Sequence, residues 1–405
     1  MKLPPQVWTA LPGARAVLSA LDVAADMTRL VGGAVRDALL GLPVSDFDLA
    51  TKLTPDAVIA RLEAAGIKAV PTGIAHGTIT AISHGQTFEV TTLRRDVTAD
   101  GRHATVAFSD DWRDDASRRD FTINALYANP LTLEISDFHA GLADLKNGCV
   151  RFIGEPLQRI AEDHLRILRF FRFHARFGSG APDAAGLAAC SQRANDLMAL
   201  SRERVRGELV KLLAVRDPVP TIAVMLAHGI LAPVLPEVTA VDRLARLVGV
   251  EAAVAAEANA AHQTPINEAM SLRRLAALLP PDAGLLDSVA TRLRLSNHER
   301  ARLVATAMVT GDPLLTQAYR DGADSAFDRV LLAAENPPDA ATLAAIDQLR
   351  RWQRPRLPVS GKDIIALGTA PGPEVSRRLA SFEAAWVAAG FPADPTTVER
   401  LLASC

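Results

Sequence analysis

The sequence predicts an α+β domain followed by an all-α remainder. Up to about residue 140, short runs rich in β-forming residues alternate with short helical patterns. Beyond about residue 150 the strand patterns stop, and the chain becomes rich in Ala and Leu with helical periodicity. A chain of 405 residues corresponds to about two to four domains, each long enough to bury a hydrophobic core.

Local signals place the elements of the first part. A helix is predicted from Ala34 to Leu40, because Gly41 stands where helices commonly end. Thr54 followed by Pro55 begins another helix that runs to about residue 65, since Pro suits the first helical turn. The strands of this part are predicted at residues 46–50, 78–83, 87–93 and 133–137.

The remainder of the chain is predicted to be helical, with breaks where Gly and Pro cluster. No convincing fixed-period repeat is present, which argues against a solenoid of identical units. The candidate helices are residues 156–176, 202–214, 219–229, 240–258, 268–279, 283–294, 297–309, 339–352 and 374–389.

Composition and charge exclude several classes of protein. A hydrophobic content of 49% excludes a disordered chain, and a formal charge of −2 argues against a uniformly basic nucleic-acid binder, though not against local basic patches. Cys149, Cys190 and Cys405 are far apart and odd in number, which favours a reducing compartment and argues against structural zinc. With no signal-peptide pattern and no apolar run of about 18 residues, we expect a soluble cytoplasmic protein without membrane contact.

The first group of candidate functional residues is Gly32, Gly33, Arg36, Asp46 and Asp48. Two glycines before a helix let backbone N–H groups approach an anion, and an Arg in the first turn can add a forked contact, so this turn can cradle a triphosphate. The two aspartates, at i and i+2 on a strand, point to one face and can hold one or two Mg²⁺ ions. Such ions activate an attacking hydroxyl and stabilise a leaving pyrophosphate. The alternative is an ordinary turn followed by solvated aspartates.

A second group follows at residues 118–125. Arg119 can pair with a phosphate, while Asp120 and Asn124 can hold a sugar or brace the aspartate strand. The alternative is a helix start that Asp120 caps, with Asn124 solvated. Four acids precede this group and are predicted to form a solvated loop, because they would repel a triphosphate; they are Asp110, Asp111, Asp114 and Asp115.

The third group is Asp163, Arg166, Arg169 and Arg172, at successive i+3 steps of one predicted helix. A carboxylate accepts from the exocyclic amine of C or A, and an Arg donates to the ring acceptor beside it, so protein side chains can recognise a Watson–Crick edge. G and U present the opposite donor pattern. The alternative is a surface ladder of Asp and Arg on a Phe-rich core helix.

Three segments, VGGAVRDALLGLPVSDFDLAT, RRDFTINAL and EDHLRILRFFRF, in this order and spacing, resemble the class II tRNA nucleotidyltransferase and bacterial poly(A) polymerase family. The resemblance implies a polymerase-β-like nucleotidyltransferase head with a mixed sheet over residues 1–148. It implies a helical neck that recognises the base over residues 149–265, and a helical body and tail that bind tRNA over residues 266–405.

The resemblance also implies residue roles. These are Asp46 and Asp48 as Mg²⁺ ligands; Gly33, Arg36 and Arg119 at the nucleotide; Asp163 and Arg166 at the base; and Arg169 and Arg172 nearby. The segment 94–102 resembles the family's flexible loop, which helps switch specificity from C to A. Glu89, on a predicted strand, is a candidate third acid, with a salt bridge to Arg94 as the alternative.

Within this family the sequence favours CCA addition to tRNA from CTP and ATP, with release of pyrophosphate. The basic run resembling GRRFRLxH that is typical of proteobacterial poly(A) polymerases is absent, and so is a long basic C-terminal extension. Two alternatives stay open: a poly(A) polymerase that adds AMP to RNA 3′ ends, and a non-catalytic RNA-binding protein of the same fold. The sequence gives no indication of the oligomeric state.

Overall fold

The computed structural model describes residues 1–4, 11–44, 47–100, 103–257, 268–308 and 311–405. The chain forms two compact units. The first unit comprises Met1–Leu212 and Ala227–Val234, and the second comprises Leu213–Leu226 and Leu235–Cys405.

The first unit contains all the described strands. These are β1 (Thr28–Val31), β2 (Phe47–Thr51), β3 (Lys68–Gly73), β4 (Thr78–Ser83), β5 (Gln86–Thr92), β6 (Arg94–Asp100), β7 (His103–Phe108), β8 (Leu126–Ala128) and β9 (Ile135–Asp137). Seven of them form one mixed sheet in the order β3-β4-β5-β2-β1-β8-β9, and β6 and β7 form a separate two-stranded sheet. In the large sheet β2 and β5 are parallel, and the other neighbours are antiparallel.

The helices of the first unit precede, interrupt and follow this sheet. They are α1 (Pro12–Ala20), α2 (Gly33–Leu39), α3 (Pro55–Ala64), α4 (Trp112–Ser117), α5 (Gly141–Lys146), α6 (Pro156–Glu162), α7 (Arg166–Phe177), α8 (Ala184–Gln192) and α9 (Arg202–Leu213), which ends at the boundary of the second unit.

The two faces of the large sheet are packed differently: residues of α1 and α3 cover one face, and a second hydrophobic cluster that includes Ala50 of β2 and Trp112 of α4 covers part of the other. Phe88 and Val90 of β5 pack into the hydrophobic core that includes residues of α1 and α3. Because side chains alternate along a strand, Glu89 and Thr91 lie on the opposite face. The sheet therefore presents an acid-bearing face that these two helices leave uncovered.

The second unit is helical throughout its described residues. Its helices are α10 (Val219–Ala227), which begins there, α11 (Asp242–Glu257), α12 (Glu268–Leu278), α13 (Ala283–Arg292), α14 (Asn297–Ala305), α15 (Leu314–Asp321), α16 (Ala323–Ala333), α17 (Ala340–Arg351), α18 (Gly361–Ala366), α19 (Pro373–Ala388) and α20 (Pro395–Ala403). Near its C-terminal end Tyr319, Phe382 and Trp386 form an aromatic core. Among the described helices, none is both long and apolar enough to cross a membrane.

The predicted fold class is confirmed, but several elements were missed and one helix was wrongly joined; the missed elements include β3, β6, β7, β8, α8, α15, α16 and α20. Strand β3 was not predicted because it contains Pro71, which an edge strand tolerates since one side of it pairs with no neighbour. Strand β8 was not predicted because all three of its residues are buried, so it shows no alternation. The single helix predicted at residues 156–176 is wrong, because the chain leaves the helical conformation at Asp163 and resumes it at α7.

Candidate active site

Two acids lie side by side on neighbouring parallel strands. Asp48 of β2 is the register partner of Glu89 of β5, and the adjacent partners Phe47 and Phe88 stack with ring centroids 5.3 Å apart. Register partners in a parallel pair share a face, so Asp48 and Glu89 lie together on the face opposite the two phenylalanines. Asp46, the other predicted metal ligand, lies outside the described residues.

The glycine turn follows β1 at the end of the strand that lies beside Asp48 of β2. Leu30, two residues before Gly32, pairs with Leu49, the residue after Asp48. Gly32 has a φ of +64°, which favours Gly, and its N–H donates to the carbonyl of Leu126 at 3.0 Å. Gly33 is the first residue of α2. The antiparallel pairing of β1 and β2 thus places the predicted phosphate-binding turn beside Asp48.

Arg36 is buried and bound on several sides. Its Nη1 donates to Asn124 Oδ1 at 2.5 Å, and its Nε and Nη2 contact Asp37 Oδ1 at 2.8 and 2.7 Å. The guanidinium also lies 4.1 Å from the ring centroid of Phe177. Burial lowers the pKa of Arg36 from its usual value, although Asp37 partly compensates. Arg36 therefore holds α2 to its neighbours, and all three nitrogens of its guanidinium already contact protein groups.

Arg119 belongs to a buried cluster with Asp115 and Tyr127. Arg119 Nη2 lies 3.0 Å from Asp115 Oδ2, and the Tyr127 hydroxyl donates to the same oxygen at 2.6 Å. Burial favours the neutral carboxyl, but Arg119 and Arg118 outweigh it and lower the pKa of Asp115 to about 2. The prediction of a solvated loop is wrong for Asp115, which lies on α4 and is 1% exposed, because it neutralises two arginines.

Asp120 connects the second and third predicted groups. Its Oδ1 accepts from Asn124 Nδ2 at 3.0 Å and from its neighbour's N–H at 2.8 Å, while its Oδ2 accepts from Arg169 Nε at 2.9 Å. Burial alone would raise the pKa of Asp120, but Arg169 and Asn124 lower it. Asn124 is buried, so the alternative of a solvated Asn124 is wrong. A continuous polar chain therefore runs from Arg36 through Asn124 and Asp120 to Arg169.

Arg172 of α7 extends this series of polar contacts to α9. Its Nε donates to Glu208 Oε2 at 2.5 Å, and its guanidinium lies 4.2 Å from the ring centroid of Phe173. Glu208 Oε1 also lies 4.0 Å from Arg169 Nη1. Arg169 and Arg172 of α7 thus share one buried acid.

Asp163 and Arg166 have different partners. Asp163 has extended backbone angles after α6, and its side chain binds Arg204 of α9. Arg166 Nη1 donates to Glu162 Oε2 at 2.6 Å and to the carbonyl of Arg159 at 2.9 Å. The predicted ladder from Asp163 along one helix is therefore wrong, since Asp163 Oδ1 accepts from the N–H of Leu165 and breaks the helix there.

Several residues of this region were not predicted; they are Glu162, Arg204, Glu208 and Tyr127. Glu162 is four residues before Arg166, a spacing that places oppositely charged side chains together on a helix, so its role was predictable. Arg204 and Glu208 lie 41 and 36 residues from Asp163 and Arg172, and no local pattern links such distant positions.

The donor set suits a divalent cation. Asp48 and Glu89 offer carboxylate oxygens on one face, which are the ligands that hard cations such as Mg²⁺ prefer. Among the residues that the structure describes, no group of three or more His, Cys, Asp or Glu side chains is arranged to hold a metal ion.

Two acids on neighbouring strands beside a glycine turn, followed by a helical remainder, are the arrangement expected of a nucleotidyltransferase. Residues 28–151 match the family model of the poly A polymerase head domain, and residues 183–241 match the model described as a probable RNA and SrmB- binding site of polymerase A.

Named relatives cover most of the chain. It is 34% identical over 372 residues to the mitochondrial CCA tRNA nucleotidyltransferase 1 of Danio rerio, spanning 88% of this chain and 83% of the relative. It is 30% identical to the CCA-adding enzyme of Levilactobacillus brevis, over 91% and 92% of the two chains. The solved Bacillus stearothermophilus CCA-adding enzyme in complex with CTP has a TM-score of 0.74 and 26% identity, over 97% and 98%. The chain therefore belongs to the class II family of CCA-adding enzymes and bacterial poly(A) polymerases.

Proposed function

We propose that this chain adds C, C and A to the 3′ end of tRNA, using CTP and ATP and releasing pyrophosphate. The observation that carries the proposal is the pairing of Asp48 with Glu89 on neighbouring strands, beside the turn at Gly32. The named relatives, which are CCA-adding enzymes, support the choice of product. The match to a polymerase A head is common to both branches of the family.

Asp46 and Asp48 would hold Mg²⁺, with Glu89 as a third acid. When bound, the ion would lower the pKa of an attacking hydroxyl and stabilise the negative charge of a leaving pyrophosphate. The turn at Gly32 and Gly33 would receive phosphate oxygens through backbone N–H groups. Arg119 would add positive charge there, since a Cβ atom on Gly32 would lie 3.5 Å from its Nη1.

The remaining predicted residues would position the nucleotide. Arg36, Asp120 and Asn124 would act by holding α2 and α7 in place, because their polar groups are occupied by one another and by Arg169. Arg169 has the most exposed side chain of the arginines in this chain of contacts, at 31% against 7% for Arg36 and 12% for Arg172, so it would approach the nucleotide most directly.

Residues 149–265 would contain the neck and residues 266–405 the body and tail that bind tRNA. Support for the second assignment comes from residues 348–362, which carry five cations and no acid; these are Arg350, Arg351, Arg354, Arg356 and Lys362. Among the described residues, Arg350 and Arg356 contact no acidic side chain, and both are exposed. Trp352 anchors the segment by packing against the nearby hydrophobic core. Exposed arginines held on a packed segment suit phosphate contacts.

The test is extension of a labelled tRNA that ends at the discriminator base, with Mg²⁺ and either ATP alone or CTP plus ATP, resolved on a sequencing gel. We expect a product that stops after three added nucleotides and forms only when both nucleotides are present. A long ladder with ATP alone would identify a poly(A) polymerase. No incorporation at all would favour an RNA-binding protein without catalysis.

The metal site is tested in the same assay with Asp46→Ala and Asp48→Ala, each of which should abolish incorporation. Asp56→Ala is the matched control, because this exposed acid lies on α3, which covers the opposite face of the sheet. Unchanged activity in Asp46→Ala or Asp48→Ala would overturn the assignment. A cytoplasmic location stays a prediction from the sequence, and the vertebrate relatives are mitochondrial.

A further inference from the structure

Arg204 is the partner of Asp163, although 41 residues separate them. Arg204 Nη2 lies 3.0 Å from Asp163 Oδ1 and 2.8 Å from Oδ2, so one nitrogen spans both carboxylate oxygens. The N–H of Leu165 donates to Oδ1 at 3.1 Å. These three contacts orient a carboxylate whose backbone has already left α6.

Counting acceptor sites shows what Asp163 can still bind. An ionised carboxylate has about four lone-pair sites, two on each oxygen. Among the described contacts, Oδ1 receives two donors, from Arg204 and Leu165, and is filled. Oδ2 receives one donor, from Arg204, and has one site left. That site suits a single N–H, such as one hydrogen of the exocyclic amine of C or A.

We infer that Arg204 is a positioning residue that determines base specificity by holding Asp163 with one open acceptor site. The inference rests on the proposed function and on the role that the family resemblance implies for Asp163, which is contact with the incoming base. Arg204 orients the carboxylate, fills the surplus acceptor sites and leaves Oδ2 open to one donor. A base that presents an acceptor there meets an ionised oxygen with no hydrogen to share.

Stability alone does not account for this pair. The side chains of Arg204 and Asp163 are 48% and 33% exposed, and ion pairs at such exposure contribute little to folding. Arg166 does not hold Asp163 in this way, since its Nη1 donates to Glu162 and to the carbonyl of Arg159, and its Nη2 donates to the carbonyl of Arg118 at 3.3 Å. Within the part of the chain that the structure describes, Arg204 is thus the arginine whose guanidinium contacts this carboxylate.

The experiment measures single-turnover incorporation of each of the four nucleotides by the full-length enzyme with a tRNA primer. We expect Arg204→Ala to lower the preference for CTP over UTP, and for ATP over GTP, by about tenfold or more, as expected for one lost base-reading contact. Arg204→Lys keeps a cation with a single donor nitrogen on a shorter side chain, and should restore part of the preference. The double variant Asp163→Ala/Arg204→Ala should match Asp163→Ala alone, because Arg204 acts through Asp163.

Arg61→Ala is the matched control, since Arg61 and Asp22 form a similarly exposed pair, each 42% exposed, at 3.4 Å. It should leave all four rates unchanged. Equal loss of rate for all four nucleotides in Arg204→Ala and Arg204→Lys, with the preference intact, would overturn the inference. If Asp163→Ala itself keeps the preference, the proposed base contact fails, and with it the role of Arg204. If Asp163→Ala relaxes the preference and Arg204→Ala does not, only the role of Arg204 fails. Arg204→Lys provides the measurement if Arg204→Ala does not fold.

Discussion

Asp120 accepts hydrogen bonds from both Nε and Nη2 of Arg169, a residue 49 positions further along the chain. The contact ties the segment that follows α4 to the middle of α7. Because Asp120 also binds Asn124, and Asn124 binds Arg36, the same carboxylate supports the helix that follows the glycine turn. Asp120 therefore helps to fix α7 relative to the glycine turn.

We expect Asp120→Asn to lower the free energy of unfolding by roughly 3 kcal/mol, because it removes the charge of a buried carboxylate that pairs with the partly buried Arg169. Urea unfolding followed by circular dichroism measures the change. Asp287→Asn is the control, since the side chains of Asp287 and Arg300 are 42% and 43% exposed and such exposed pairs contribute little to stability. Equal changes in the two variants would contradict the structural role of Asp120.

We expect Glu89→Gln to slow nucleotide incorporation by about tenfold or more and to raise the Mg²⁺ concentration needed for half-maximal rate, because a neutral amide is a weaker ligand for a hard cation. Titration of Mg²⁺ under single-turnover conditions measures both effects. Glu63→Gln, an exposed acid on α3 beyond the opposite face of the sheet, should change neither. A Glu89→Gln enzyme with the rate and Mg²⁺ dependence of the wild type would exclude Glu89 as a third acid.

The pH dependence of the free energy of unfolding should show the contribution of the ionised Asp115 side chain. Its pKa is about 2 in the folded chain against an ordinary value of 3.8, so its ionised form stabilises the fold above pH 3.8, and this contribution is lost as the pH falls from 3.8 towards 2. Asp115→Asn should therefore be less stable than the wild type by roughly 3 kcal/mol between pH 5 and 7, and the difference should shrink below about pH 4. Urea unfolding at several pH values measures it. A difference that stays constant down to pH 3 would mean that Asp115 acts through packing and not through charge.

The salt dependence of tRNA binding should report the basic segment of residues 348–362. Replacing Arg350 and Arg356 by Gln should weaken binding and reduce the slope of log affinity against log salt concentration by about 0.7 to 0.9 per lost phosphate contact. The matched control replaces Arg300 and Arg377, which pair with acids at 2.6 and 2.5 Å. Equal slopes for both double variants would show that residues 348–362 do not contact the RNA backbone.

Much of the fold follows from local pattern. Alternation along β4 and β5 and the capping signals of α3 lie within a few residues, and the structure confirms these elements with shifts of one residue at their ends. The glycine turn and the acid strand were predictable for the same reason. The strand β8 was not, since a fully buried strand of three residues has no periodicity.

The sequence by itself determined the fold class, the family, and the turn and strand that carry Gly32 and Asp48, because each depends on residues close together in the chain. Only the tertiary structure decided which side chains meet. It paired Asp48 with Glu89, Asp120 with Arg169 and Asp163 with Arg204. The physical reason is that strand order and helix packing bring together residues that are dozens of positions apart in the chain. Strand register brings Asp48 to Glu89, whereas Asp120 and Asp163 each take an opposite charge that lies nearby in space.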